Sequence, residues 1–337
     1  MNVHTEPLSK DNFSYFLEVL NERSEAPVDY YKWKYLTCRE TNMPRGFLVR
    51  WNNEYVGCAG IIPRVWKNSE GRDISATWVA DVFVHSKARG MGIGSALFTA
   101  VKDLSPVSIF IPGTESVRSV TTKIGYHPLS EIPEFEVLLR PWKSGWLRGG
   151  GTTCKRFLRA MKTAMIWRAQ RTKSSETGID INLSFPDIDV WSNRAETVTM
   201  GIPHLVRSKE FLNWLKQMPS NAPNNPKIWW HWQNHQHGVL GLIEFDRWGA
   251  KRSRIFDYWG KEPVWNSDLA NLLVNSMHHI GVDYMQIYGF PEILKIKKAV
   301  LKNQLPLFAY GKISTTSIRG LDRESWYRDI TFVRREY

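Results

Sequence analysis

The chain is organised around the stretch Asp81-Val-Phe-Val-His-Ser-Lys-Ala-Arg-Gly-Met-Gly-Ile-Gly-Ser-Ala-Leu-Phe98. Its pattern predicts a buried strand from Trp78 to Val84, then a basic glycine loop, then a helix that runs to about Lys102. Glycines at such a junction let the backbone approach a ligand closely, and the first N–H groups of the helix have no partner within it. The junction therefore predicts an anion site, to which Lys87 and Arg89 add positive charge.

The glycine pattern does not fit the two best-known phosphate-binding loops. No Gly-Lys-Ser/Thr follows it, as a Walker loop requires, and no acidic residue follows at the distance of a dinucleotide ribose contact. A plain tight turn between a strand and a helix is the alternative. The order of strand, arginine, three glycines and helix favours a ligand-binding loop.

The pattern Val84-x4-Arg89-Gly90-x-Gly92-Ile93-Gly94-x2-Leu97 resembles the acyl-CoA motif of the GNAT N-acetyltransferase superfamily. The resemblance implies that the loop holds the CoA pyrophosphate, and that acetyl-CoA or another acyl-CoA is the co-substrate. It also implies that the strand before the loop binds the pantetheine and the thioester carbonyl through backbone N–H groups. The cofactor-binding residues so implied are Phe83, Val84, Arg89, Gly90, Met91, Gly92, Ile93, Gly94 and Ser95.

The resemblance also implies an N-acyltransferase, so we expect a group that handles the proton of an amine. Asp81 lies on the strand before the loop and is the first candidate for general base or amine ligand. A structural role is the alternative, which the recurrence of an aspartate at Asp257 favours. Glu115, just after a predicted strand end, is the second catalytic candidate. The usual general acid of the family, a tyrosine, is replaced here by Thr121, so the general acid stays unassigned.

Composition excludes several classes of protein. The chain has 337 residues, of which 42% are hydrophobic and 23% charged, as expected for two globular domains. Its cysteines, Cys38, Cys58 and Cys154, are scattered without metal-ligand spacing, so we expect a reducing compartment and neither disulfides nor a metal site. Met1 to Asn12 is polar and no apolar run is long enough to span a membrane. We therefore expect a cytoplasmic protein.

Three histidines between His231 and His237 invite a metal site, but no carboxylate or cysteine completes a ligand set. Two of them, His235 and His237, align with residues Asn53–Tyr55, at the hairpin that Asn52-Asn53-Glu54 predicts in the first half of the chain. We therefore predict a second hairpin there and no metal.

The second half of the sequence repeats features of the first. Four residues recur at a constant spacing of 181 positions: Trp33 as Trp214, Trp51 as Trp232, Gly57 as Gly238, and Gly60 as Gly241. Matches in a single register predict an internal duplication, and two unrelated tryptophan-rich α/β domains are the alternative. Residues 260–268, which replace the glycine loop, lack the glycine run and carry two acidic side chains. We expect a second domain that kept the fold and lost the cofactor.

The sequence thus predicts a mixed α/β fold of two tandem GNAT-like domains. We expect an acetyl-CoA-binding domain over residues 1–142, a basic linker helix over 143–180, and a degenerate domain over 181–337 that recognises the acceptor. This arrangement is similar to GNAT-like proteins of bacterial polysaccharide and cell-envelope biosynthesis, which implies an amino sugar or a cell-envelope precursor as the amine acceptor.

Two alternatives stay open for the function. A Fem-like transferase would use aminoacyl-tRNA, but the intact glycine loop argues against it, and we do not expect a nucleic-acid partner. A non-catalytic CoA-binding or interaction protein is favoured by Thr121 alone. The acyl group, the acceptor and the oligomeric state do not follow from the sequence.

The linker carries most of the net charge of +12, because nine basic residues and no acidic residue lie between Lys143 and Lys173. Apolar side chains cluster along one side of a helix predicted from about Thr153 to Arg171. Such a helix packs between the two domains or lies on an anionic membrane, here its cytoplasmic face. Packing between the domains is the favoured interpretation, although the two are compatible.

Overall fold

In a computed structural model of the chain, the described residues form one mixed sheet of twelve strands with helices packed against it. The structure describes residues 3–21, 27–37, 42–68, 70–140, 142–143, 152–169, 179–201, 204–219, 227–246, 249–260, 267–288 and 299–311.

In the first half, the described residues between 3 and 140 form six strands and four helices. In chain order they are β1 Val3–Pro7, α1 Phe13–Asn21, α2 Val28–Lys32 with a π-helical turn at Trp33–Thr37, β2 Gly46–Trp51, β3 Glu54–Lys67, β4 Asp73–Val84, α3 Ile93–Lys102, β5 Val107–Phe110, α4 Glu115–Lys123 and β6 His127–Leu138. Helix α5, Thr153–Ala169, follows as the linker helix.

The second half, residues 179–311, repeats much of this order. Its elements are α6 Ile188–Thr199, β7 His204–Leu205, α7 Lys209–Lys216, β8 Ile228–Gln233, β9 His237–Phe245, β10 Lys251–Gly260, α8 Ser267–His279, β11 Tyr284–Tyr288 and β12 Ala299–Gly311. The predicted α/β class is confirmed. Descent of the two halves from one ancestor, and the domain limits at residues 142 and 180, stay predictions.

The last strand of each half lies in the sheet of the other half. The strand order is β1-β2-β3-β4-β5-β12-β6-β11-β10-β9-β8, with β7 beside β3. Strand β5 pairs antiparallel with β12, and β11 pairs antiparallel with β6. Strands β6 and β12 also pair with each other, which joins the two halves into a continuous sheet.

Two tryptophans join the halves through a reciprocal contact. The rings of Trp33 and Trp214 stack with centroids 4.5 Å apart. Each indole N–H donates to the backbone carbonyl of the other residue, at 2.7 Å from Trp33 and 2.9 Å from Trp214. A contact in which each partner does the same thing to the other is expected at a local two-fold axis. The spacing of 181 residues therefore corresponds to a matched position in space.

The recurring glycines are packing positions. A Cβ at Gly60 would lie 2.1 Å from the Tyr35 hydroxyl oxygen, and one at Gly241 would lie 2.2 Å from the Trp230 indole. Each glycine therefore leaves room for an aromatic ring that crosses the strand. The glycine recurs because, in both halves, an aromatic side chain packs against the sheet at the corresponding position.

Both hairpins that the sequence predicts are present. Asn52 and Asn53 both have positive φ, 49° and 67°, as a two-residue hairpin turn requires. The histidine-rich segment is confirmed as a hairpin, since β8 and β9 pair across it and Asn234 Oδ1 accepts the His237 N–H at 2.7 Å. Strand β3 continues past the apolar run Tyr55–Ile62 and includes Val65 and Trp66, which a local reading of the sequence would assign to a separate strand.

Helix α5 forms as predicted, but three of its apolar side chains, Phe157, Leu158 and Met165, do not pack between the two halves. Of its described side chains only Ala160 is buried, whereas Phe157, Leu158 and Met165 are exposed. The favoured packing of the linker is therefore wrong for these side chains. No helix in the described part of the chain is long and apolar enough to cross a membrane.

Candidate functional site

Strand β4 continues beyond its pairing with β5. The parallel pairing joins Ala76–Trp78 to Val107–Ile109, while β4 runs on to Val84 and stays paired with β3 on its other side. Among the described residues, no strand pairs with this edge of β4 beyond Trp78. Phe83 and Val84 lie on that segment and are half-buried. The edge thus offers backbone groups outside the ladder, the arrangement that binds an extended ligand.

A bulge at Asp81 accompanies the unpaired segment. The register between β3 and β4 shifts between Cys58 and Gly60, opposite Asp81. Asp81 itself has φ of 49°, a left-handed conformation that aspartate tolerates better than most residues. Bulges of this kind bend a strand and re-aim its side chains, and they often lie next to functional sites.

The glycine loop forms the junction of β4 and α3. Gly90 and Gly92 have φ of 83° and 79°, which favours glycine because other residues adopt this region at a cost. A Cβ at either position would meet no atom within 4 Å, so the space beside the loop is open. Gly92 is the N-cap residue of α3 and offers no side-chain cap, so the first amides of the helix are available to a ligand.

The charged side chains of the loop differ in their availability. Arg89 is exposed, and its Nε donates to the Val84 carbonyl at 3.3 Å. Lys87 forms an ion pair with Glu54 across the mouth of the first hairpin. The hydrogen bond and charge of Lys87 lower the pKa of Glu54. Arg89 therefore supplies the main positive charge for an anion at this loop, and Lys87 supplies less than the sequence indicates.

The other loop residues predicted to bind the cofactor differ in how exposed they are. Met91 is exposed, and Gly94 and Ser95 are half-buried. Ile93 is buried under β3, where a Cβ at Gly57 would lie 2.7 Å from its Cγ2, so only its backbone can face a ligand.

Asp81 is held by two side chains from the turn after α2. Lys34 Nζ lies 2.7 Å from Asp81 Oδ2, and the Tyr35 hydroxyl donates to the same oxygen at 2.5 Å. The side chain of Lys34 is 1% exposed and that of Asp81 is 11% exposed. Burial, and then the charge of Asp81, raises the pKa of Tyr35 well above its usual value, so its hydroxyl keeps the proton. Within the described chain, the hydrogen bonds to this carboxylate leave Oδ1 for a ligand.

Sequence reasoning missed Lys34 and Tyr35 as part of the site. Both belong to the aromatic and basic run Tyr30–Tyr35, which is visible in the sequence. Nothing in that run indicates a partner 46 or 47 residues away. Only the fold brings the turn after α2 against the bulge in β4.

Helix α4, which follows strand β5 in the chain, lies beside the start of α3. A Cβ at Gly94 would lie 3.9 Å from Val120 Cγ1, so the two helices pack side by side there. Glu115, the first residue of α4, is largely exposed and pairs with Arg118 Nη1 at 3.2 Å. The hydroxyl of Thr121 donates to the carbonyls of Val117 and Arg118 in its own helix, at 2.8 and 3.1 Å. That hydroxyl is therefore turned into the helix.

The second half carries a related arrangement without the loop. Asp257 Oδ1 lies 3.1 Å from Arg207 Nε, and its Oδ2 accepts from the Trp191 indole at 2.9 Å. Both charged side chains are buried. Residues 261–266, where the sequence lacks the glycine run, lie outside the described residues.

Part of the first half is similar to a known family. Residues 7–106, which include the loop and α3, match the model of the Acetyltransferase (GNAT) family. The match covers less than a third of the chain. No curated protein matches the sequence significantly.

Solved structures share the fold over most of the chain. A GCN5-related N-acetyltransferase from Anabaena variabilis superposes with a TM-score of 0.59 at 12% identity, over 91% of this chain and 72% of that one. A probable N-acyltransferase from Enterococcus faecalis gives 0.58 at 11%, over 92% and 72%. Saccharomyces cerevisiae N-myristoyltransferase with bound myristoyl-CoA gives 0.58 at 11%, over 92% and 79%. At such identities the likeness is one of fold.

Proposed function

We propose that the protein is an acyl-CoA-dependent N-acyltransferase, with acetyl-CoA as the expected co-substrate. The observation that carries the proposal is the junction of β4 and α3. There, two left-handed glycines and an exposed arginine adjoin the free amides of a helix start and an unpaired strand edge. The thioester, when bound, supplies the acyl group.

The residues of the junction divide the binding task. The amides at the start of α3 and the guanidinium of Arg89 bind the pyrophosphate, because a helix N-terminus and a bidentate cation both suit phosphate oxygens. The backbone of Phe83 and Val84 binds the pantetheine as an added strand. Held in this way, the thioester lies in a fixed position relative to the acceptor, and such positioning lowers the barrier to transfer.

Asp81 is the group that we assign to the acceptor amine. Lys34 and Tyr35 hold its Oδ2 and leave Oδ1 for the amine. Asp81 accepts the proton that the amine loses as its nitrogen bonds to the acyl carbon. The carbon–sulfur bond breaks and the sulfur keeps the electron pair. Because the hydroxyl of Thr121 bonds to its own helix, water protonates the thiolate, and the hydroxide so formed takes the proton from Asp81, which restores the carboxylate. Glu115, exposed at the start of α4, is assigned to acceptor binding.

The acceptor that we propose is an amino sugar or a cell-envelope precursor. The support is the similarity of the tandem arrangement to proteins of polysaccharide and cell-envelope biosynthesis. The second half, which keeps the element order without the glycine loop, is assigned to acceptor recognition. We infer a cytoplasmic location, because Cys58 and Cys154 are free thiols.

Calorimetric titration of the full chain with acetyl-CoA and with a long-chain acyl-CoA tests the cofactor. Gly92→Glu adds a carboxylate and backbone strain where the pyrophosphate is expected, and should weaken binding by roughly tenfold or more. Gly71→Glu is the matched control. Gly71 has φ of 78° and open space around it, but it lies in the β3–β4 turn. Equal effects of the two variants, or no acyl-CoA binding by the wild type, would contradict the proposal.

Thiol release in the presence of a panel of amino sugars tests the chemistry. Asp81→Asn should lower kcat by about 10²-fold or more and leave acyl-CoA affinity unchanged. Tight acyl-CoA binding with no turnover on any amine would instead support a non-catalytic CoA-binding protein.

A further inference from the structure

Helix α5 presents a group of large apolar side chains to solvent. Phe157 is 45% exposed, Leu158 59% and Met165 60%. Trp142, just before the helix, is also exposed and packs edge-on against Phe157 with ring centroids 5.7 Å apart. Exposed apolar side chains that scatter singly need no explanation, but a group of this kind marks a contact surface.

Two of these side chains, Leu158 and Met165, share one face of the helix with lysines. Lys155, Leu158, Lys162 and Met165 follow one another at spacings of three, four and three residues, so they form one stripe along the helix. All four side chains are exposed. The stripe lies within the segment from residue 143 to 173 that has nine basic residues and no acid. It therefore alternates apolar side chains with lysines.

We propose that the α5 surface, formed by Trp142, Phe157, Leu158, Met165 and the flanking lysines, docks on an anionic lipid bilayer. Aromatic and aliphatic side chains enter the boundary between headgroups and acyl chains, while lysines meet the lipid phosphates. A second copy of the chain fits less well, because two surfaces of the same positive charge would face each other. The proposal goes beyond the acyltransferase assignment and does not depend on it.

Vesicle sedimentation with the full chain tests the docking. The wild type should bind vesicles of phosphatidylcholine mixed with phosphatidylglycerol, and bind pure phosphatidylcholine much more weakly. Leu158→Ser with Met165→Ser removes two inserting side chains and should lower partitioning roughly tenfold or more. Lys155→Gln with Lys162→Gln should lower it roughly tenfold and weaken its salt dependence.

Two controls make the result specific. Leu183→Ser with Met200→Ser removes apolar side chains that are 52% and 75% exposed in the second half, and should leave vesicle binding unchanged. Gly92→Glu should also bind vesicles as the wild type does, so that loss of acyl-CoA binding and loss of lipid binding are distinguishable. Circular dichroism checks that each variant is folded.

Three results would overturn the proposal. The first is equal wild-type binding to neutral and anionic vesicles, or none to either. The second is unchanged binding after Leu158→Ser with Met165→Ser. The third is a dimeric wild type that ignores vesicles and becomes monomeric with the same two substitutions, which would assign the α5 surface to an interface between copies.

Discussion

The two halves place an aspartate at the same point of their sheets but surround it differently. Asp81 lies three positions after Trp78, the last residue of β4 that pairs with β5, and Asp257 lies three positions after Arg254, the last residue of β10 that pairs with β11. Each lies at a register shift and is paired with a buried cation. The side chain of Asp81 is 11% exposed, whereas that of Asp257 is 0% exposed.

The cation explains part of the difference. Arg207 bonds to Asp257 and also donates to the Tyr258 carbonyl. It therefore engages a backbone group of β10 just beyond the segment where β10 pairs with β11. Lys34 pairs with Asp81 through a single ammonium group, and the Asp81 side chain keeps 11% of its surface exposed. A buried ion pair at a bulge can therefore enclose its aspartate completely, as in the second half, or leave part of it open to a ligand, as in the first.

The largest expected effects on stability come from replacing the buried cation of each half, and they should differ between the halves. Arg207→Met removes the buried guanidinium that balances the charge of the fully buried Asp257 and leaves the Trp191 N–H in place, and should cost about 3–5 kcal/mol of unfolding free energy. Lys34→Met should cost about 2 kcal/mol, because Asp81 keeps the Tyr35 hydroxyl and some contact with water. Urea unfolding measures both.

Asp257→Asn should recover part of the loss in the Arg207→Met background, since it removes the uncompensated charge. A larger cost for Lys34→Met than for Arg207→Met would mean that the first site is the more tightly closed of the two.

Trp33 and Trp214 provide a contrasting case, because each makes the same contact to the other half. Trp33→Phe and Trp214→Phe each remove one indole N–H donor and leave a buried carbonyl without it, at a cost of about 2 kcal/mol each. The two values should agree closely, and the double variant should show a coupling of about 1 kcal/mol from the shared stack. Clearly unequal losses of unfolding free energy in urea would show that the contact is symmetric in its geometry but not in its contribution to stability.

The smallest effect concerns a position where the halves differ outright. Lys227 stands 181 residues after Gly46, and its Nζ lies 5.4 Å from the Trp229 ring centroid. Burial lowers the pKa of Lys227 to about 8, and Glu244 partly offsets this. Between pH 8 and the usual lysine pKa the unfolded chain binds more protons than the folded one, so stability should rise with pH in that window.

Below that window both states are protonated and the penalty is constant. Because the side chain is only half-buried, Lys227→Gln should stabilise the protein at pH 7 by about 1 kcal/mol. It should also flatten the rise of stability with pH. Thermal unfolding at neutral and alkaline pH measures both, and a rise that persists in the variant would assign the pH dependence to another group.

Local backbone chemistry made much of the fold predictable from the sequence. Pro27 begins a helix because its ring fixes φ. Asn52 and Asn53 form a hairpin turn, and the glycines after β4 lead into α3, because both residue types tolerate positive φ. The glycine loop was predictable for the same reason. The ion pair of Lys34 with Asp81 was not, since no local rule relates two side chains that a sheet brings together.

The limits of a strand are hard to predict where distant pairing determines them. The local apolar pattern indicates a strand only from Phe135 to Leu139, but β6 begins at His127. Its first residues pair with β12, which lies far along the chain. Propensity in a short window cannot register such a partner. For α5, helical periodicity was visible, but what lies against the helix was not.

The exchange of β6 and β12 determines when the protein can finish folding during its synthesis. Strand β5 receives its second neighbour only from β12, about 200 residues later in the chain. Until the ribosome has delivered that strand, the nascent first half carries an open β5 edge, and open edges recruit strands from other chains. The glycine loop can form early, but the sheet behind it is complete only when the last strand of the second half arrives.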